Sequence, residues 1–274
     1  GALAGVCCAS LSPLIVLQRM AFVGDGMAHA AFGGIGLALF LLTNAKYDDL
    51  SVQAITIAFC LVLGAAIGVA SRRSESAKLA EDSAIGIAFS VSMALGAMLI
   101  ALRQRRGAQY VPPMDYYLFG SLLNISTNDL WLLLGVALAI AGVLLLLRKE
   151  MIFYSFDPRL AEVSGLKAGL FHYAFLMLLV LTVVVSSRVV GIVLVSASLV
   201  IPGVIALRLC HRLVPAMLLS ALIGVISFEL GLFASYELEV HPGSAIILTQ
   251  FALLLLATLG SLFEKPASAP QKRG

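Results

Sequence analysis

Asp25 and His29 stand four residues apart in the stretch Met20-Ala-Phe-Val-Gly-Asp-Gly-Met-Ala-His-Ala-Ala-Phe-Gly-Gly-Ile-Gly-Leu-Ala-Leu-Phe-Leu-Leu42, which is otherwise apolar and long enough to cross a bilayer. On a helix such a pair leaves one face a turn apart, so a carboxylate oxygen and an imidazole nitrogen can converge on one small cation. Ionisable groups at membrane depth cost about 2.5–3.5 kcal/mol each on insertion scales, and residues that carry that cost tend to line ion paths. The competing reading is structural: His29 bonds a neighbouring helix, and Asp25 caps a helix start between Gly24 and Gly26. Two donors leave a cation's shell incomplete, since transition metals take about four to six ligands. The site therefore calls for a second Asp/His pair, other helices or water, and a homodimer with its twofold axis beside this helix supplies that pair. Carboxylate with imidazole suits manganese, iron and zinc alike and argues against copper(I).

The elements that must position this pair follow from composition. The 274 residues are 61% hydrophobic and 12% charged, with a mean hydropathy of +1.03, which makes the chain an integral membrane protein. Its apolar runs are helix-length and lack period-2 alternation, so the fold class is all-α, a polytopic transmembrane helical bundle of about eight to nine spans. The runs place spans near 1–18, 21–42, 51–70, 83–102, 129–147, 169–186, 189–209, 213–235 and 243–263. The first begins without a methionine, so a natural start is expected upstream, and the residues present contain no charged n-region of a signal peptide. Cys7, Cys8, Cys60 and Cys210 form no C-x-x-C pair and read as small core residues. Gly24, Gly26, Gly33, Gly34 and Gly36 predict a close helix contact along the second span.

Charge sets the expected orientation. Alternating sides from Arg19 gathers thirteen of the eighteen Lys and Arg residues on one side, which is then cytoplasmic. With Arg19 at that interface, Asp25 lies roughly 9 Å and His29 roughly 15 Å into the membrane. Arg103, Arg105 and Arg106 break the pattern by falling on the outer side, where 103–128 is expected as a loop with a short re-entrant or interfacial piece. The polar, proline-containing stretch 264–274 is expected as a disordered cytoplasmic tail.

Three further places hold candidate functional residues. In Tyr154-Ser-Phe-Asp-Pro-Arg-Leu-Ala-Glu-Val-Ser-Gly-Leu166, Asp157 suits an N-cap, Pro158 the first helical position and Gly165 the end, which predicts a two-turn cytoplasmic helix. Such a helix either transmits force from a cytoplasmic partner or serves as an interfacial linker. Pro202 interrupts an apolar span four residues after Ser198, so a kink is expected there, and Ser198 with Pro202 forms a candidate hinge. Glu229 lies inside a span near its outer end, either reaching out to solvent or lining a path.

Other chemistries are limited by what the chain contains. It has no G-x-x-x-x-G-K-[ST] phosphate loop, so any ATP hydrolysis in the P-loop manner belongs to another protein. H-E-x-x-H is absent and a second membrane aspartate is missing, which argues against an intramembrane protease. Loop bias accounts for the net charge of +3, so nucleic acid is not a partner. The missing phosphate loop fits a transport subunit driven by a separate ATPase and, equally well, a secondary transporter or channel for a divalent cation.

Val16-Leu-Gln-Arg-Met-Ala-Phe-Val-Gly-Asp-Gly-Met-Ala-His-Ala30, Tyr117-Leu-Phe-Gly-Ser121, Phe156-Asp-Pro-Arg-Leu-Ala161 and Leu194-Val-Ser-Ala-Ser-Leu-Val-Ile-Pro202, in that order, resemble the permease subunits of bacterial ABC importers for zinc, manganese or iron, the ABC-3 family. The resemblance implies that 1–263 is a transmembrane permease domain in the inner membrane, working as a homodimer. It implies two separate cytoplasmic ATPase subunits and an extracytoplasmic metal-binding protein as partners, and no tightly bound cofactor beyond the transported ion. Asp25 and His29 then belong to the translocation path, and the segment near 156–166, with Asp157, Pro158, Arg159, Glu162 and Gly165, resembles the coupling helix that docks on the ATPase. In Glu239-Val-His-Pro-Gly243 the chain departs from the family by placing a histidine, His241, either at a metal entry or in a plain exposed loop.

Overall fold

The structure, a computed structural model, describes residues 1–42, 49–72, 77–106, 119–120, 126–146 and 168–263. Among these the helices are α1 (Ala2–Leu17), α2 (Ala21–Leu41), α3 (Asp49–Arg72), α4 (Ala77–Arg105), α5 (Thr127–Leu146), α6 (Ala168–Val190), α7 (Ile192–Ser198), α8 (Ile201–Leu209), α9 (Leu213–Leu238) and α10 (Pro242–Phe263). Eight stretches are long and apolar enough to cross a membrane, with α7 and α8 together forming one of them, and α1 is apolar but shorter. Lipid offers backbone groups no partner, so uncharged runs of this length close their hydrogen bonds internally as helices. Two prolines stand at helix starts, where a missing N–H costs little: Pro242 opens α10 and Pro202 is in the first turn of α8.

The helices form two groups joined in the middle. In one, α2 packs against α3 and α4; in the other, α1 packs against α8 and α9, and α10 against α8 and α9. The connectors are α6, which touches α2 and α3 as well as α1 and α5, and α7, which touches α2 and α10. Leu11, Leu14 and Ile15 of α1, Met27 of α2, Phe175, Leu176 and Leu179 of α6, and Leu194 and Val195 of α7 share the core. Many large apolar side chains face outward, such as Leu145, Leu146, Leu218 and Leu248, as suits a surface solvated by lipid. Helices in lipid gain little from burying more apolar surface, so close backbone packing matters more. Along α2 this closeness depends on glycine: a Cβ at Gly33 would lie 2.6 Å from the Ser92 carbonyl oxygen, and one at Gly36 2.6 Å from Gly96 Cα.

Among the boundaries that differ from the sequence expectation, two place arginines in helix ends. α6 runs on to Val190 rather than ending near 186, because Gly191, at φ 88, supplies the left-handed residue at which the chain turns into α7. Arg188 therefore sits in the last turn of a helix. α4 likewise runs through Arg105, so Arg103 is helical and buried, at 1% exposure, and the Arg106 guanidinium lies 4.7 Å over the Phe40 ring. The positive-inside rule counts loop cations, and Arg103 and Arg105 break the count because they belong to a helix end. The expected coupling helix near 156–166, with Asp157, Pro158, Arg159, Glu162 and Gly165, and the tail 264–274 lie outside the described residues.

Candidate metal path

α2 is the helix on which the polar pair must be built, and it is buried on almost every side. In its first half the exposed Phe22 and the partly exposed Asp25 and His29 fall at spacings of three and four and share one face. On that face the Asp25 side chain is 48% exposed and the His29 side chain 20%. The opposite faces are closed by neighbours at small residues, with Leu199 against Gly24, Ile85 against Gly26 and Thr56 against Gly34. The close contact expected along these glycines is thus made by α3, α4 and α7 of the same chain.

The pair itself is ordered by one hydrogen bond and one ring contact. His29 Nδ1 lies 3.0 Å from the Asp25 backbone carbonyl oxygen, which can only accept, so Nδ1 is the donor of this bond. The same Nδ1 is 3.6 Å from Asp25 Oδ1. The ring stands edge-on to Phe89 of α4, with centroids 4.9 Å apart at 85°. Held in this way, the His29 ring and the Asp25 carboxylate share one partly open face. Among the described residues no group of three or more His, Cys, Asp or Glu side chains converges. Within one chain the pair remains a two-donor site.

The remaining candidates are dispersed. Glu229 is exposed on α9. His241 is exposed ahead of α10, its ring 5.0 Å from that of Phe119. Ser198 ends α7 and Pro202 opens α8, with Leu199 and Val200 as a turn between them, and Leu199 reaches α2 beside Asp25. Ser198 Oγ does not act within its own helix as a support for the bend; it accepts a 2.9 Å hydrogen bond from Gln250 Nε2 of α10. Phe89 carries no signal in the sequence, being one aromatic residue in a long apolar helix, whereas Gln250 is an amide in an apolar helix, which signals a polar partner but not which one.

A second ionisable pair is closed. Arg188 Nε lies 3.1 Å from Asp129 Oδ1. Asp129 Oδ2 accepts the Ser126 hydroxyl at 2.8 Å and the Ser126 N–H at 3.2 Å, while the Asp129 N–H donates to Ser126 Oγ at 3.2 Å. This is the reciprocal box that opens a helix, here α5.

Comparison with known proteins agrees with this architecture. The ABC 3 transport family model matches residues 1–261. The manganese transport system membrane protein MntC of Halalkalibacterium halodurans is 34% identical over 255 residues, covering 93% of this chain and 82% of the relative. The chelated iron transport system membrane protein YfeD of Yersinia pestis is 32% identical over 255 residues, covering 93% of this chain and 81% of its own. Among solved structures, PsaBC from Streptococcus pneumoniae in complex with Fab aligns over 97% of this chain and 89% of its own, at a TM-score of 0.79 and 28% identity. The chain belongs to the ABC 3 transport family, as a multi-pass membrane permease subunit that is not itself an enzyme.

Proposed function

We propose that this permease carries manganese or ferrous iron along the open face of α2, with Asp25 and His29 as transient ligands. The observation that supports this most is the contrast within α2: a helix packed through glycine on its other sides keeps its carboxylate half exposed and its imidazole one turn away. A carboxylate and an imidazole suit intermediate divalent cations, and two ligands per chain bind weakly enough for release. The relatives named above for manganese and chelated iron transport favour these two metals.

Two copies of the chain, facing each other across α2, raise the donors to four and shelter the face from lipid. Energy comes from separate ATPase subunits, since the chain has no phosphate loop. The segment around Asp157, Pro158, Arg159, Glu162 and Gly165 is where those subunits dock. An extracytoplasmic binding protein delivers the ion at the opposite end.

The test is uptake of radiolabelled manganese or iron into proteoliposomes holding the complex purified with its ATPase. Asp25→Ala with His29→Ala is expected to lower ATP-dependent uptake roughly 10–100-fold, the range seen when support for a metal ligand is lost. Undiminished uptake would remove Asp25 and His29 from the path. If Glu162→Lys leaves ATPase copurification and transport intact, docking lies elsewhere.

A further inference from the structure

The turn between α7 and α8 is held from outside by two buried polar side chains, and it presses on the helix that bears the polar pair. In a continuous helix the Gly203 N–H would bond the Leu199 carbonyl. Here it donates instead to Ser12 Oγ of α1, at 2.8 Å. Pro202 has no N–H to offer, and the Val200 N–H pairs three residues back, with the Ala197 carbonyl at 3.1 Å. On the other side Gln250 Nε2 of α10 donates to Ser198 Oγ at 2.9 Å. Ser12, Ser198 and Gln250 are all at 0% exposure. Between the two bonds, Leu199 lies against Gly24, where an added Cβ would stand 3.3 Å from Leu199 Cδ1.

We propose that Ser12 and Gln250 are positioning residues that clamp the α7–α8 break and so set how Leu199 bears on α2 beside Asp25. This rests on reading Asp25 and His29 as part of the path. An apolar side chain would fill position 250 equally well by volume, and a buried amide in lipid carries a desolvation cost. Gln250 Oε1 has no hydrogen-bond partner among the described residues, so packing alone does not account for an amide here. What the amide supplies is a donor to a broken helix end. Two single hydrogen bonds from two different helices, α1 and α10, hold the break firmly enough to order it and weakly enough to let it move, since interhelical bonds in membranes are individually modest.

The experiment uses the complex with its ATPase in lipid nanodiscs and proteoliposomes, and compares wild type with Ser12→Ala, Gln250→Met and the double variant. Hydrogen–deuterium exchange of amides 199–204 is expected to quicken roughly three- to tenfold in each single variant, the loss of one such bond. The KM for manganese uptake is expected to rise by a similar factor, with a smaller change in the maximal rate. Unchanged exchange in the double variant overturns the clamp. Faster exchange with an unchanged KM overturns its link to transport. Asp25→Ala is the control that separates the two readings, because it should leave exchange at 199–204 as in wild type. If Asp25→Ala also leaves uptake intact while Gln250→Met shifts KM, the role of Asp25 falls and the clamp stands. Should Gln250→Met not assemble, Gln250→Asn keeps the amide but falls a methylene short of Ser198, and the same shifts are expected of it.

Discussion

Among the described residues, two pairs of ionisable side chains within the helices are built in opposite ways. Asp129 and Arg188 are closed on themselves: the carboxylate accepts from the guanidinium, from a serine hydroxyl and from a backbone N–H, and its side chain is 9% exposed. Asp25 and His29 are left open, with Oδ1 and Nδ1 3.6 Å apart and the carboxylate half exposed. A charge whose acceptors are all used inside the chain works as structure. A charge placed in a membrane helix with unused acceptors calls for a partner, and in the function proposed above an ion and a second copy of the chain take that place. Asp25 and His29 lie inside a span whereas Asp129 and Arg188 lie at helix ends, and saturation tells the two pairs apart.

The closed pair offers the sharpest way to break this contrast. Arg188→Met leaves Asp129 buried without its counter-ion, and breaking such a pair costs about 3–5 kcal/mol. Replacing both partners, with Asp129→Leu and Arg188→Met, should return most of that stability, because no charge is then left alone. Thermal unfolding of the detergent-solubilised complex reads both variants. If the single and double variants melt together well below wild type, the pair does more than neutralise itself.

How far each pair could be read from the sequence follows from the same distinction. Asp25 and His29 stood out because they share a helix face in a long uncharged run, so spacing alone brings them together. Asp129 and Arg188 are 59 residues apart and meet only through the packing of α5 on α6, which no local pattern encodes. The spans were legible because apolar length is what lipid selects, while their ends were less so. α6 passes its expected end because Gly191, one glycine among apolar residues, has no neighbour to announce a positive φ. α4 passes its expected end because Arg103, read as a loop cation, is buried among helices. The break at Leu199 and Val200 was legible through Pro202, but the residues that hold it, Ser12 and Gln250, lie 191 and 52 residues away from their partners.

A smaller effect is expected from the residue that props the closed pair. Ser126→Ala removes the hydroxyl that both donates to Asp129 and caps α5, and loss of such a cap costs about 1 kcal/mol. The Arg188 contact stays, so uptake should be preserved while the melting temperature falls by a few degrees. A loss as large as that of Arg188→Met would mean that the box, and not the guanidinium, keeps Asp129 in place.

The open pair should show the smallest effect on stability and the opposite balance. Asp25→Leu removes a carboxylate that makes only a loose approach to His29, and that keeps about half its surface uncovered in one chain. Within the helix the His29 ring retains its own contacts, the Asp25 backbone carbonyl and the Phe89 edge, neither of which depends on the Asp25 side chain. Unfolding is therefore expected to shift by no more than about 0.5 kcal/mol, as for a substitution away from any packed or bonded feature. A shift comparable to that of Arg188→Met would mean that Asp25 is saturated by a contact of the assembled complex, and the contrast between an open and a closed pair would then end at the single chain.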